Sequence, residues 1–250
     1  RIVTSTENTN ERSQFLILAE TDDWQEFQRA YQDLINPRLK STPLIATEAR
    51  RLTNGLGTDA EKLLAIFHFV KGQIEYVGLE YSEHRHIPEF AERVLRRKLG
   101  DCKDQAALLV ALAEAVGVKV DMVLVRSHNQ PKISHLQPTL ALFDHAIVYA
   151  KSLNMYLDPS QQNLFGIELS PEIQGAQALI LNESAARVRL PVLPKATDLM
   201  AWRITYDDTD SKKLQITVHL SETIKGLSTI HNALDGPLLS LLSPNGRSSS

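Results

Sequence analysis

Apolar residues recur at helical spacing through the first half of the chain and at strand spacing through the second, which predicts helices first and an antiparallel sheet after them, an α+β fold. Thr21-Asp22-Asp23-Trp24 has the form of a helix start, and Asn36-Pro37 predicts that this helix stops at about Leu34. A second helix is signalled by the capping box Thr58-Asp59-Ala60-Glu61, behind which Leu63, Ile66, Phe67 and Val70 fall on one face. His68 lies off that stripe and is expected in solvent. Pro88 opens a third helix running to about Arg97, and the basic run Arg93, Arg96, Arg97 and Lys98 suits a helix C-terminus and a solvated face. Gly100-Asp101 breaks it. Lys103 to Val116, rich in Ala106, Ala107, Leu109, Val110 and Ala113 and followed by Gly117, reads as a buried central helix with Cys102 at its N-terminus.

Beyond Gly117 the runs Val118 to Arg126, Leu140 to Ala150 and Met155 to Asp158 are rich in β-branched and aromatic residues and predict strands. Residues 171–197 carry Pro171, Pro191 and Pro194 and read as a connecting segment with one apolar run, Ala178 to Leu181. Met200 to Tyr206 and Lys213 to Leu220 predict a hairpin, taken as the start of a C-terminal β-domain over residues 198–250 whose tail is disordered. That leaves residues 23–170 as the core domain.

Composition narrows the partners more than the fold. Of 250 residues 43% are hydrophobic, enough for a sizeable core, and the net charge of −3 shows no basic excess that would draw in nucleic acid. No apolar run approaches the roughly 18 to 20 residues a membrane-spanning helix needs. Arg1-Ile2-Val3-Thr4 lacks an initiator Met, so the chain is expected to begin inside a longer protein. Asn54-Gly55-Leu56-Gly57 has neither the further glycine nor the Lys of a phosphate loop.

Cys102 is the one cysteine, which excludes an intrachain disulfide and leaves packing, metal ligation or nucleophilic chemistry. At a helix start the positive end of the macrodipole and unpaired backbone N–H groups stabilise a thiolate, and the same N–H groups can donate to an oxyanion. Geometry supplies two partners. If the strand through His145 turns tightly at Lys151 to Asn154, Ala150 lies opposite Met155 and Ile147 opposite Asp158. His145 and Asp158 then share a face as diagonal neighbours with backbones roughly 7–8 Å apart, a gap that a hydrogen bond between side chains closes. An odd-numbered loop would throw Asp158 to the other face. The plain alternative is a satisfied sheet histidine and an Asp158-Pro159-Ser160 turn, but it leaves the coincidence with a helix-start cysteine unexplained.

Gly100-Asp101-Cys102-Lys103-Asp104, Asp144-His145-Ala146-Ile147-Val148 and Tyr156-Leu157-Asp158-Pro159 resemble, in order, three signature blocks of the transglutaminase-like superfamily, over roughly residues 23 to 165. The resemblance extends to the bacterial proteins in which such a domain follows a DUF3857 domain. It implies a papain-like transglutaminase core with Cys102 as nucleophile, His145 as base and Asp158 orienting the histidine. By the same resemblance, residues 1–22 close a preceding β-domain and a further β-domain follows. It also implies a peptide or protein acyl donor, a thioester intermediate resolved by water in preference to an amine, no metal or organic cofactor, and a bacterial periplasmic or cell-surface location. Catalytically silent members of the superfamily make an interaction or scaffold module the alternative. Tyr76, Tyr81 and His84 lie upstream of the nucleophile as candidate oxyanion or substrate contacts. Asp104 is read as a carboxylate favouring the helix dipole, with substrate contact as its alternative. A zinc site from His84, His86, Cys102 and His145 is disfavoured because the metal would block the thiolate.

Overall fold

The computed structural model describes residues 21–78, 86–129, 137–161 and 167–192, with the backbone of the strands at 199–207 and 215–223. Residues 1–20 of the expected end of a preceding β-domain, the candidates Tyr81 and His84, and the C-terminal tail lie outside these residues. The chain divides after Pro191 into two units. In the second, β8 (Leu199–Asp207) and β9 (Gln215–Thr223) pair antiparallel from Leu199↔Thr223 to Asp207↔Gln215, the expected hairpin.

The first unit is built round one helix, α5 (Cys102–Ala115), in which every residue from Lys103 to Ala113 is buried. A helix apolar on all sides needs neighbours on all sides. They are α1 (Trp24–Leu39), α2 (Pro43–Leu52), α3 (Asp59–Gln73) and α4 (Ala91–Arg97), with the sheet closing the remaining side. Ala106, Ala107, Ala111 and Ala113, all fully buried, let these elements approach closely.

The sheet has the order β5-β4-β3-β6-β7, all antiparallel: β3 (Asp121–Arg126), β4 (His145–Ala150), β5 (Met155–Leu157), β6 (Gln177–Ile180) and β7 (Arg187–Arg189). On its second face Val123, Val125, Ile147, Ala178 and Ile180 pack beneath Leu169, Ile173, Ala176 and Leu190. Segment 171–191 is therefore part of the core and not a connector. Its strands of four and three residues are too short to show a period, and Pro171 and Pro191 flank them without interrupting the pairing.

Other elements depart from the sequence pattern for local reasons. α1 continues to Leu39 with Pro37 inside its last turn. That turn is held by Arg38, which donates to Pro88 O at 3.2 Å and lies 4.7 Å over the Phe90 ring. α2 carries its own signal, a Thr42 cap with Pro43 in the first turn, overlooked because its apolar stripe is short. α4 begins at Ala91 because Glu89 N–H donates to Asp104 Oδ1 at 2.7 Å and so keeps the segment after Pro88 out of the helix. His68 is half-buried against Phe67, ring centroids 5.4 Å apart; burial and then Lys71 lower its pKa, against the expected solvation.

A further pairing has no sequence period at all. β1 (Glu75–Tyr76) and β2 (Leu99–Gly100) form a two-residue parallel bridge with Tyr76↔Gly100 in register, fixing the chain immediately before Cys102. Gly100 is needed there because a Cβ would lie 2.8 Å from Asp104 Cβ and 3.2 Å from Val94 Cγ1. Gly100→Ala should lower stability by about 1–3 kcal/mol, the usual cost of overpacking. The check is the midpoint of chemical denaturation, and an unchanged midpoint would contradict the close-approach argument.

Candidate active site

The segment Gly100-Asp101-Cys102-Lys103-Asp104 builds the helix start residue by residue. Asp101 is the N-cap: its side chain accepts from Asp104 N–H at 3.2 Å, and the Asp104 side chain accepts from Asp101 N–H at 3.2 Å, a complete capping box. The second Asp101 oxygen is paired with Lys103 Nζ, and both side chains are buried. Cys102 is thus the first helical residue, in the turn whose N–H groups have no intrahelical acceptor. Asp104, 4% exposed, caps the helix and holds Glu89. Its burial removes the substrate contact considered above, and burial with the nearby Asp101 charge raises its pKa.

His145 is the first residue of β4 and Asp158 follows the last residue of β5. The register Val148↔Leu157, Tyr149↔Tyr156, Ala150↔Met155 is the one the four-residue loop predicts, with Asn154 taking the left-handed conformation (φ 47°) that closes it. Tyr149 and Tyr156 stack at 4.4 Å on the same face. Their diagonal neighbours meet: His145 Nε2 lies 2.7 Å from Asp158 Oδ2. The Asp158 side chain is wholly buried, and its other oxygen accepts from Ser160 N–H at 3.1 Å and Ser160 Oγ at 2.8 Å. The turn and the pairing coexist, so the serine that sequence reading assigned only to a turn also fixes the carboxylate.

The remaining imidazole nitrogen serves Cys102, whose side chain is hydrogen-bonded to His145. Burial disfavours a charged imidazole, but the Asp158 charge and hydrogen bond, followed by the Cys102 bond and charge, outweigh it and raise the His145 pKa well above the ordinary 6.5.

A groove of about 270 Å³ opens beside these groups, with Tyr31, Tyr76, Lys103, Leu124 and Phe143 in its walls. The β1–β2 bridge places Tyr76 in its wall, and His86 also lines it. Tyr31 carries no local signal for this role, because it comes from α1, 71 positions before the thiol. It is 4% exposed and donates to His86 O at 2.5 Å. Burial, then the charges of Cys102 and Asp101, raise its pKa, so its hydroxyl is a neutral donor. Asp144 also lines the groove and accepts from Ser127 N–H at 2.8 Å and Ser127 Oγ at 2.6 Å, tying β3 to the residue before His145. Among the described residues no group of three or more His, Cys, Asp and Glu is arranged to hold a metal ion, and His84 lies outside them.

A thiol at a helix start, an imidazole and a carboxylate are thus brought together by a helix and an antiparallel sheet, in the order Cys102, His145, Asp158. Residues 46–154 match the model of the transglutaminase-like superfamily. Among solved structures the chain is similar to a "putative protease" from Parabacteroides distasonis, with a TM-score of 0.51 and 20% identity over 67% of this chain. The match spans 32% of that protein's length. It also matches a "putative cysteine protease" from Cytophaga hutchinsonii, with a TM-score of 0.39 and 13% identity, over 76% of this chain and 56% of the other. No curated protein matches the chain. No helix among the described residues is long and apolar enough to cross a membrane.

Because the folded His145 pKa is the raised one, its contribution to stability is complete below about pH 6.5, the free value, and is lost as pH climbs through the folded value. Ring-proton NMR of wild type should place the His145 midpoint above 6.5. In Asp158→Asn the midpoint should fall, since burial then dominates. A midpoint unmoved by the substitution would show that Asp158 does not govern the imidazole's charge.

Proposed function

We propose that this chain is a cysteine-dependent acyl-transfer enzyme acting on a carboxamide or peptide bond, with hydrolysis as its second step. The observation that carries the reading is the chain of hydrogen bonds from Ser160 through Asp158 and His145 to Cys102. The thiol proton passes to His145, and the sulfur attacks as the thiolate. The sulfur adds to the carbonyl carbon. The resulting oxyanion faces the first-turn N–H of Cys102, with the Tyr76 hydroxyl, on the same bridge, as its second donor. Collapse breaks the carbon–nitrogen bond, the leaving amine takes the proton from His145, and an S-acyl thioester remains. Neutral His145 then deprotonates a water that attacks the thioester, releasing the carboxylic acid and regenerating the thiol.

The acyl donor is proposed to be a peptide or protein on the strength of the sequence motifs, with the groove of about 270 Å³ beside the thiol to receive it. The protease description of the Parabacteroides distasonis neighbour agrees with hydrolysis over cross-linking. A bacterial periplasmic or cell-surface setting remains part of this proposal on the strength of the sequence motifs alone.

Iodoacetamide should alkylate native Cys102 rapidly at neutral pH, and His145→Ala should slow the reaction about tenfold or more, since the thiolate then loses its counter-ion. A peptide substrate incubated with wild type and quenched in acid should leave a thioester adduct detectable by mass spectrometry, absent from Cys102→Ala. Equal and slow alkylation of both proteins, with no adduct, would instead indicate a silent scaffold. Added primary amine distinguishes the second step: product carrying the amine in place of the free acid would overturn hydrolysis.

A further inference from the structure

A second cavity lies beside the groove, sharing Phe143 as a common wall. Its chemistry is different. The register Arg126↔Gln177↔Arg189 sets three polar side chains in a row on one face of β3, β6 and β7, and Arg187, opposite Leu179, follows two residues along the same face. All four residues line the cavity, with Trp24 of α1 across from them. Among the described residues no carboxylate lines it. In a chain with net charge −3, three arginines gathered round one depression are not background.

Like charges held this close repel, and the fold maintains them by specific contacts. Arg126 is only 8% exposed. Arg189 Nη1 donates to Gly175 O at 3.3 Å, fixing the edge strand's side chain in place. The Arg187 guanidinium lies 5.2 Å over the Trp24 ring, and Trp24 meets Phe143 edge-on at 6.3 Å. Stacking occupies the flat faces of a guanidinium and leaves its in-plane N–H fork for a planar anion. Asp144, whose carboxylate also accepts from Ser127 and lines the neighbouring groove, is an electrostatic neighbour of Arg126, while Arg187 and Arg189 stand at the exposed side of the cavity.

We propose that this arginine-lined cavity is a subsite for a carboxylate on the peptide substrate, an acidic side chain a short distance from the amide presented to Cys102. The subsite rests on the acyl-transfer reading for its adjacency to chemistry, but its charge recognition is separable from it. The aromatic pair Trp24 and Phe143 supplies the apolar surface that the stem of a glutamate or aspartate crosses on its way from the groove.

The test uses short acetylated, amidated peptides identical except for Glu or Gln at one position, scanned along both sides of the scissile amide. In one register wild type should favour Glu by about tenfold or more in kcat/KM, the size of a charge-assisted hydrogen bond. That ratio should collapse towards one in Arg187→Gln and in Arg189→Gln, and fall partially in Arg187→Lys, which keeps charge but loses the fork. Arg187 is exposed, so its replacement tests recognition without emptying the core. A parallel titration follows Trp24 fluorescence in Cys102→Ala carrying Trp202→Phe. Glu-specific quenching without any turnover by wild type would uphold the subsite and sink the catalytic reading. Turnover with equal rates for Glu and Gln at every position would do the reverse. Loss of neither the preference nor the quenching in Arg187→Gln and Arg189→Gln would also overturn the subsite.

Discussion

The first turn of α5 has to be satisfied inside the protein, because the helix it opens is buried along almost its whole length. The chain supplies this turn with a reciprocal pair of carboxylates, Asp101 and Asp104, and pairs one of them with Lys103. Burial, and after it the Asp101 charge, raise the Asp104 pKa, and the lysine and the Glu89 amide hold the two acids there. This constraint explains why the five residues around the thiol are so particular in type. Gly100 must be small, Asp101 and Asp104 must accept, Lys103 must donate, and the position left between them is the one that meets the imidazole.

The sheet makes a second demand of the same kind. His145 and Asp158 come together only because the loop between β4 and β5 has an even number of residues, so a single inserted residue would separate them to opposite faces. Asn154 accepts a left-handed backbone to keep that loop short, and the Tyr149 and Tyr156 stack fixes the register at the next pair along. Helix and hairpin are thus solved independently and meet at one hydrogen bond between Cys102 and His145. The Ser127 and Asp144 tie fastens the end of β3 to the residue before His145 and so steadies the sheet's side of that meeting point.

What could be seen beforehand follows from whether the signal was local. The capped start of α5, the strand register and the His145 and Asp158 pairing are set by neighbours along the chain or across a tight turn, and they are legible in the residues. Tyr31 is not, since α1 reaches the groove through tertiary packing that no spacing encodes. The strands β6 and β7 are too short for a period and sit between prolines, so composition made a sheet edge look like a connector. Pro37 misled in the opposite direction, because a contact fifty residues away, Arg38 to Pro88, secures the turn it weakens. His68 shows the same limit: helical spacing reports which side an element buries against its nearest layer, not whether another layer covers the rest.

The parallel bridge between β1 and β2 spans only two residues a side, yet it fastens Tyr76 directly beside the backbone that leads into the thiol. Ring and sulfur therefore ride on a common mount, while the imidazole rides on the sheet. Any widening of the cleft must therefore stretch the sulfur–imidazole contact first, while the spacing between aromatic ring and sulfur stays as the bridge sets it.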